Sequence, residues 1–341
     1  DKELINFIKK SLNNKDLSNY NKASGYFILA KNEQKKKNFE NEIKFLNKGH
    51  DFFYKSFDNK IFERNLNYWL EIIPSKFKSF KLTNDLNLES KSNFINPIFI
   101  IGMPRSGSTL VESIISSGKT KIPNGGETAF VNSAIFKQIK DKILFEKLNN
   151  SDLLIDKKKL SSDIIEKYES LNLLDNRKNY IFTDKSLENF FYIDLLLKIF
   201  PNSKFIHCKR NNIDSIFAIY QNFLTKMSWT HSFKNILIYM NNYLKIMKNF
   251  EKKFKNRIYT VNLSDLTYQS TKISKEIFKF CGLEWSEKSL EFHKRKDLFS
   301  KTASNIQIRE KIYEYDKKKY VKYKKYIEDF KNQYEWLKND M

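Results

Sequence analysis

Along the first ninety residues the apolar positions recur at helical intervals. Ala23, Tyr26, Phe27 and Ala30 make one stripe, Phe39, Ile43, Leu46 and Phe53 a second, and Phe62, Leu66, Trp69, Leu70 and Ile73 a third that runs up to Pro74. No strand-like alternation interrupts them, so residues 1–90 are expected to form an all-helical extension, with the polar stretch 81–93 as its boundary. The pattern changes at Ile98. Short apolar runs at residues 98–101, 180–182, 204–208 and 258–263 predict strands. Helices are expected between and after them, at 161–171, 188–200, 213–223, 231–255 and 274–280, and the Lys/Tyr-rich segment beyond Asp316 is helical in spacing. Strands alternating with helices predict an α/β domain over residues 91–341, built on a parallel sheet flanked by helices.

Three of these strands run straight into polar or basic clusters: Gly102 to Thr109, Thr183-Asp184-Lys185, and Lys209-Arg210. In a parallel sheet the carboxyl ends of all strands share one edge, where ligands bind. Arg105, Lys185 and Arg210 are therefore expected to converge on one polyanion. The first cluster keeps part of a P-loop, G-x-x-x-x-G-K-[ST]: Gly102, Gly107 and Thr109 hold the spacing, while Ser108 stands where the lysine belongs and Arg105 sits inside the loop. Loop N–H groups and the start of the next helix suit an anionic nucleotide. The charge that triphosphate chemistry uses is missing.

The run Pro104-Arg105-Ser106-Gly107-Ser108-Thr109 resembles the 5′-phosphosulfate loop of sulfotransferases that use 3′-phosphoadenosine 5′-phosphosulfate (PAPS), particularly the tyrosylprotein sulfotransferase-like branch and its bacterial relatives with tetratricopeptide repeats. Further elements follow in the family's order over about residues 96–326. Gly125-Gly126-Glu127-Thr128 is similar to the segment that supplies the catalytic base, which implies Glu127 as general base, working near neutrality only if its surroundings raise its pKa. Lys185 matches the Asn/Asp-Lys element, and with Arg105 is implied to stabilise charge on the bridging oxygen and the transferring group. Arg210 corresponds to the arginine that grips the 3′-phosphate, with Ser215 at a nearby hydroxyl position. Ser304 corresponds to a serine near the sulfuryl group, and Lys319 to a lysine closing over phosphate. The chain departs from the pattern at Ala218, where a second serine is expected, and at Leu263, where the family has a tyrosine against adenine.

The implied cofactor-binding set is Arg105, Ser106, Gly107, Ser108, Thr109, Arg210, Ser215 and Lys319. The implied catalytic set is Glu127, Arg105, Lys185 and Ser304. PAPS is the expected donor and 3′,5′-adenosine bisphosphate the product, with no metal required. The acceptor would be a hydroxyl on a peptide tyrosine, a glycan or a small molecule. The helical pair around residues 19–54 is the size of one tetratricopeptide repeat, so the extension is either a partner-binding repeat or a plain cap. Two other classes stay open: a P-loop kinase or nucleotide hydrolase, and a non-catalytic nucleotide-binding or helical-repeat interaction protein.

A net charge of +22 invites a nucleic-acid reading. Lysines are nevertheless scattered through every segment rather than gathered in one stripe, so no nucleic-acid partner is expected, although a positive field speeds capture of a polyanion. No run is long and apolar enough to span a membrane. Cys208 and Cys281 read as reduced core thiols, which suits a cytoplasmic location, and the chain opens at Asp1, which leaves a trimmed leader open. His207, inside an apolar strand, reads as a satisfied core side chain, and His50, His231 and His293 share no metal-ligand spacing.

Overall fold

The computed structural model describes residues 2–84, 94–145, 153–174, 180–297 and 309–341. In chain order the helices α1 (Lys2–Ser11), α2 (Asn19–Lys35), α3 (Phe39–Tyr54), α4 (Asn59–Asn67) and α5 (Ile73–Lys76) come first. Then follow β1 (Phe80–Thr83), β2 (Ile95–Gly102), α6 (Ser108–Ile115), α7 (Phe130–Phe145), β3 (Leu153–Asp156), α8 (Lys157–Ser170) and β4 (Tyr180–Asp184). The remainder is α9 (Ile193–Ile199), β5 (Lys204–Lys209), α10 (Asn212–Tyr220), α11 (Phe233–Lys253), β6 (Ile258–Asn262), α12 (Leu263–Tyr268), α13 (Ser270–Cys281) and α14 (Glu335–Asp340). Contacts group the chain into two compact units, one of residues 1–73, 211–242 and 317–341, the other of 74–210 and 243–316.

The first unit is helical. Side chains of Ser18, Asn38 and Asp58 accept hydrogen bonds from backbone N–H groups of the first turns of α2, α3 and α4 and so fix where each begins. Ala23, Phe27 and Ala30 of α2 and Ile43, Leu46 and Phe53 of α3 are buried along the hairpin that the two helices form. Gly49 lets them close: a Cβ there would stand 3.0 Å from the Phe27 ring.

The second unit holds a four-stranded parallel sheet in the order β4-β2-β5-β6. Its central strand is apolar on both faces, with Ile98, Phe99, Ile100 and Ile101 buried, because helices cover a parallel sheet on both sides. On one face Ile98, Ile100, Ile206 and Val261 pack with Val111, Ile114 and Ile115 of α6 and with Ile277 and Phe278 of α13. Helix α13 stops at Gly282, left-handed at φ 69°, where the Gly282 and Leu283 N–H groups close onto Lys279 and Phe278 carbonyls.

Sequence and structure differ in several places, one of them helix α7, which was not among the expected helices. The first ninety residues are not wholly helical: Phe80–Thr83 is a strand, paired in parallel with Leu153–Asp156 some seventy positions on, and neither is long enough to show a clear alternation. The third stripe does not stop at Pro74. A π-turn over Tyr68–Ile72 frees the backbone there, and α5 carries the chain through the proline. The expected helix at 188–200 is a 3₁₀ turn, Leu187–Tyr192, followed by α9. The segment after Asp316 is mostly 3₁₀ over Val321–Gln333 before α14, since local apolar spacing does not separate three residues per turn from 3.6. Cys281 is only half-buried, whereas Cys208 is buried; both are free thiols.

Candidate functional site at the carboxyl edge of the parallel sheet

With all strands parallel, the carboxyl ends of β4, β2, β5 and β6 lie along one edge. Lys185 follows β4, the loop from Met103 to Gly107 follows β2, Arg210 follows β5, and Leu263 opens α12 directly after β6. Arg105, Lys185 and Arg210, expected at strand ends, therefore lie along this edge.

The loop is shaped by close approach. Gly102 has φ 146°, and a Cβ there would come within 2.4 Å of the Cys208 carbonyl of the neighbouring strand. Gly107 is left-handed at φ 90° and caps α6 without a side-chain hydrogen bond, and the first amides of a helix have no partner within the helix itself. Arg105 is itself left-handed, at φ 66°. A Cβ on Gly107 would strike the Leu263 side chain at 2.6 Å, so Leu263 packs onto the loop. Ser106 is 2 % exposed and its hydroxyl has no hydrogen-bond partner among the described residues. A buried hydroxyl costs stability unless something completes it, and beside an uncapped helix start an anionic oxygen is what fits.

Arg210 ties the loop to its neighbours. Its Nη1 donates to the Arg105 carbonyl at 3.1 Å, its Nε donates to the Tyr315 hydroxyl at 3.2 Å, and the guanidinium lies 5.1 Å from the centre of the Tyr315 ring. Two arginines from separate strand ends thus share one corner. Tyr315 carried no signal in the sequence, because the contact spans 105 positions.

The end of β4 carries a second cluster, rich in carboxylates. Lys185 is 1 % exposed and its Nζ meets Glu127 Oε1 at 2.7 Å, while Glu127 stays 38 % exposed, so the pair runs from the interior to the surface. Residues 123–126 lie along β4: the Thr183 N–H donates to the Pro123 carbonyl at 3.1 Å, the Gly125 N–H to the Thr183 carbonyl at 3.0 Å, and the Lys185 N–H to the Gly126 carbonyl at 2.9 Å. Gly125 is required by that closeness, since a Cβ would stand 2.2 Å from the Thr183 carbonyl oxygen. Glu112 of α6 accepts from the Gly126 N–H and the Thr183 hydroxyl, both at 3.0 Å, and burial raises its pKa against the pull of Lys185.

Asp184 is the second anchor. Its carboxylate accepts from the Tyr168 hydroxyl at 2.7 Å, the Ser186 N–H at 2.9 Å, the Thr128 hydroxyl at 3.3 Å and Asn189 at 3.4 Å, and burial raises its pKa despite them. Glu188 was not foreseen from the sequence. It sits in the first turn of the 3₁₀ segment, and enclosure of its carboxyl, reinforced by the charges of Asp184 and Glu127, pushes it up to about 7. Its signal was there only as a glutamate three positions after Lys185.

Of the remaining calls, Ser108 and Thr109 are buried in the first turn of α6. Ser215 and Lys319 belong to the helical unit. There the Ser215 hydroxyl donates to the Asn211 carbonyl at 3.0 Å, and the Lys319 ammonium lies 5.3 Å from the Tyr320 ring centre. Ser304 lies outside the described residues. His207 is a satisfied interior side chain, bonded to Glu251 at 2.7 Å and to the Tyr243 hydroxyl. Among the described residues no group of His, Cys, Asp and Glu is arranged to hold a metal ion, and no helix is long and apolar enough to cross a membrane.

The sequence model of a family described as "Sulfotransferase family" matches residues 97–287, which takes in the whole edge from β2 to α13. An uncharacterized protein of Aquifex aeolicus (strain VF5) is 30% identical over 339 residues, covering 95% of this chain and 43% of its own length, so this chain spans less than half of that relative. Among solved structures, the sulfotransferase domain from the Synechococcus PCC 7002 olefin synthase is similar at 19% identity and a TM-score of 0.42, over 66% of this chain and 87% of that one. Mouse sulfotransferase SULT7A1 complexed with PAP is similar at 11% identity and a TM-score of 0.39, over 79% of this chain and 93% of that one.

Proposed function

The chain belongs to the sulfotransferase family, and from that premise we propose that it transfers a sulfuryl group from PAPS to an acceptor hydroxyl by in-line displacement, with Glu127 as general base. PAPS supplies the activated sulfuryl group: the acceptor oxygen forms a bond to sulfur as the bond from sulfur to the phosphate oxygen breaks, and 3′,5′-adenosine bisphosphate leaves.

The chain's own groups divide that work. Amides of the loop and of the first turn of α6, with the Ser106 hydroxyl and Arg105, bind the anionic 5′ end. Arg210, already oriented by Arg105 and Tyr315, takes the 3′-phosphate. Ser108 and Thr109 add hydroxyls to the helix start, and Ser215, Lys319 and Ser304 complete the set implied by resemblance. Leu263 offers the adenine side an apolar wall in place of an aromatic one.

Glu127 accepts the acceptor's proton. Its ion pair with Lys185 aims it, and it interlocks the two roles. When Glu127 takes up a proton it loses the charge that holds the ammonium, and Lys185 is released to the negative charge growing on the leaving oxygen. The single observation that supports this reading most is the Glu127–Lys185 contact of 2.7 Å on the same sheet edge as the phosphate-shaped loop. The acceptor is a hydroxyl of a peptide tyrosine, a glycan or a small molecule. The α2–α3 hairpin, TPR-like in size, is proposed as the surface that meets a protein partner or acceptor.

Calorimetry with 3′,5′-adenosine bisphosphate tests the reading. Wild-type binding that weakens in Arg105→Ala and Arg210→Ala, together with Glu127→Gln that binds normally but transfers no sulfate, supports it. Absence of binding, or magnesium-dependent ATP turnover in its place, overturns it.

A further inference from the structure

Glu127 sits in a turn whose shape is not favoured by its own sequence. Gly126 and Ala129 both lie in the left-handed region, at φ 65° and φ 53°. Glycine adopts that region readily, but alanine is strained there by contact between Cβ and the carbonyl. Something outside the turn has to hold Ala129.

The Ala129 carbonyl accepts from the Ser133 N–H of α7 at 3.0 Å, and the amide side of the turn is held by the Ser186 hydroxyl. Ser186 Oγ accepts from the Ala129 N–H at 2.9 Å and from the Thr128 N–H at 3.2 Å, and it lies 3.1 Å from the Thr128 hydroxyl. The Thr128 hydroxyl also lies 3.3 Å from the Asp184 carboxylate, so Ser186, Thr128 and Asp184 form one buried polar cluster, and Ser186 itself is 1 % exposed. Its own N–H donates to Asp184 at 2.9 Å, which fixes the hydroxyl relative to β4, one residue beyond Lys185.

We propose that Ser186 is a positioning residue for the transfer step, a clamp that holds the 126–129 turn in its left-handed form and thereby aims Glu127 at Lys185 and the acceptor. This rests on the proposed sulfuryl transfer for its kinetic consequence but not for its structural one. Ser186 touches neither donor nor acceptor in this account. It acts through the backbone, and displacement of a reacting group by about 1 Å can cost on the order of a hundredfold in rate.

The test uses the full chain with Ser186→Ala, Ser186→Thr, Thr128→Val and the double variant Ser186→Ala/Ala129→Gly. Ser186→Ala is expected to lower kcat at least tenfold while the dissociation constant for 3′,5′-adenosine bisphosphate stays within twofold. Thr128→Val, which removes only the hydroxyl between Asp184 and Ser186, should lower kcat less. Ser186→Thr keeps the hydroxyl and should retain most of the rate, and Ala129→Gly should restore part of the loss by removing the strain that the clamp offsets. Hydrogen exchange over residues 125–130, slow in the wild type, should speed up in Ser186→Ala and slow again in the double variant.

Unchanged exchange in Ser186→Ala overturns the clamp whatever the activity. A Ser186→Ala chain that loses nucleotide affinity in parallel with kcat, without rescue by glycine, also overturns it, since the residue would then support the whole edge. If the wild type moves no sulfuryl group at all, the proposed function fails, and the clamp is decided by the exchange data alone.

Discussion

Two clusters of buried polar groups, one in the helical unit and one at the sheet edge, are built in opposite ways. Around Glu42 and the His50–His231 pair the groups bond mainly to one another. Glu42 is enclosed, yet Gln34 and Gln221 donate to one of its oxygens at 2.9 and 2.8 Å and Tyr323 to the other at 2.7 Å. His50 uses Nε2–H on the Tyr220 carbonyl at 3.0 Å, which leaves its Nδ1 to accept from His231 Nδ1–H at 2.9 Å, and the far nitrogen of His231 has no partner among the described residues. At the sheet edge the cluster is less complete: a buried Ser106 hydroxyl with no hydrogen-bond partner among the described residues, a helix start with no side-chain cap, an arginine in a left-handed conformation, and a buried lysine whose counter-charge reaches the surface. A network closed on itself adds rigidity, while one left open marks where a ligand supplies the missing half.

The sharpest way to break this contrast is Lys185→Ala. Removing a preorganised charge from the reacting centre is expected to lower kcat by roughly 10²–10³-fold, measured in single-turnover transfer from labelled PAPS. A loss below threefold would place the lysine on the structural side of the comparison. Arg210→Ala comes next. A charge-assisted hydrogen bond worth about 1.5–3 kcal/mol corresponds to roughly 10–100-fold in the dissociation constant of 3′,5′-adenosine bisphosphate, read by calorimetry.

The helical unit should respond in stability and not in binding. Tyr323→Phe deletes a donor to Glu42 and is expected to cost about 1–3 kcal/mol in urea unfolding while nucleotide affinity stays within twofold. A matching fall in affinity would erase the distinction drawn between the clusters.

The smallest effects are in pH. Glu188 is pushed up to about 7 from an ordinary 4.5, so the folded chain holds a proton there that the unfolded chain has released. Its contribution to stability therefore falls as pH rises from 4.5 to 7. Glu188→Gln should gain melting temperature on the wild type across that window and keep the gain above it. The histidine pair runs the other way. Burial lowers His50 to about 3 and His231 to about 2, the second helped by its histidine neighbour, so the unfolded chain takes up protons first. Stability from the pair is present above pH 6.5 and is lost as pH falls below it, and His231→Phe should flatten that acid limb.

Much of the edge was legible in the sequence because strand ends are local signals. An apolar run followed by Gly102 to Thr109, by Asp184-Lys185 or by Lys209-Arg210 needs only the parallel-sheet rule to be brought together, and all three fell on one edge. What was not legible depends on partners far along the chain. Nothing near Tyr315 announces Arg210, nothing near His50 announces His231, and the β1–β3 pair is four residues on each side, too short for its period to register. The role of Ser186 was hidden for another reason: it acts on two amide groups, and an amide leaves no trace in residue identity.

The rail of backbone bonds along β4 reaches beyond aiming a carboxylate. Strand β4 is an outermost strand of its sheet, and the residues just ahead of Glu127 occupy the bonding row that a foreign strand would otherwise find open. Gly125→Ala, which drives that segment away from Thr183, should therefore produce two faults in one preparation: an enzyme that no longer turns over and a chain that begins to stick to copies of itself.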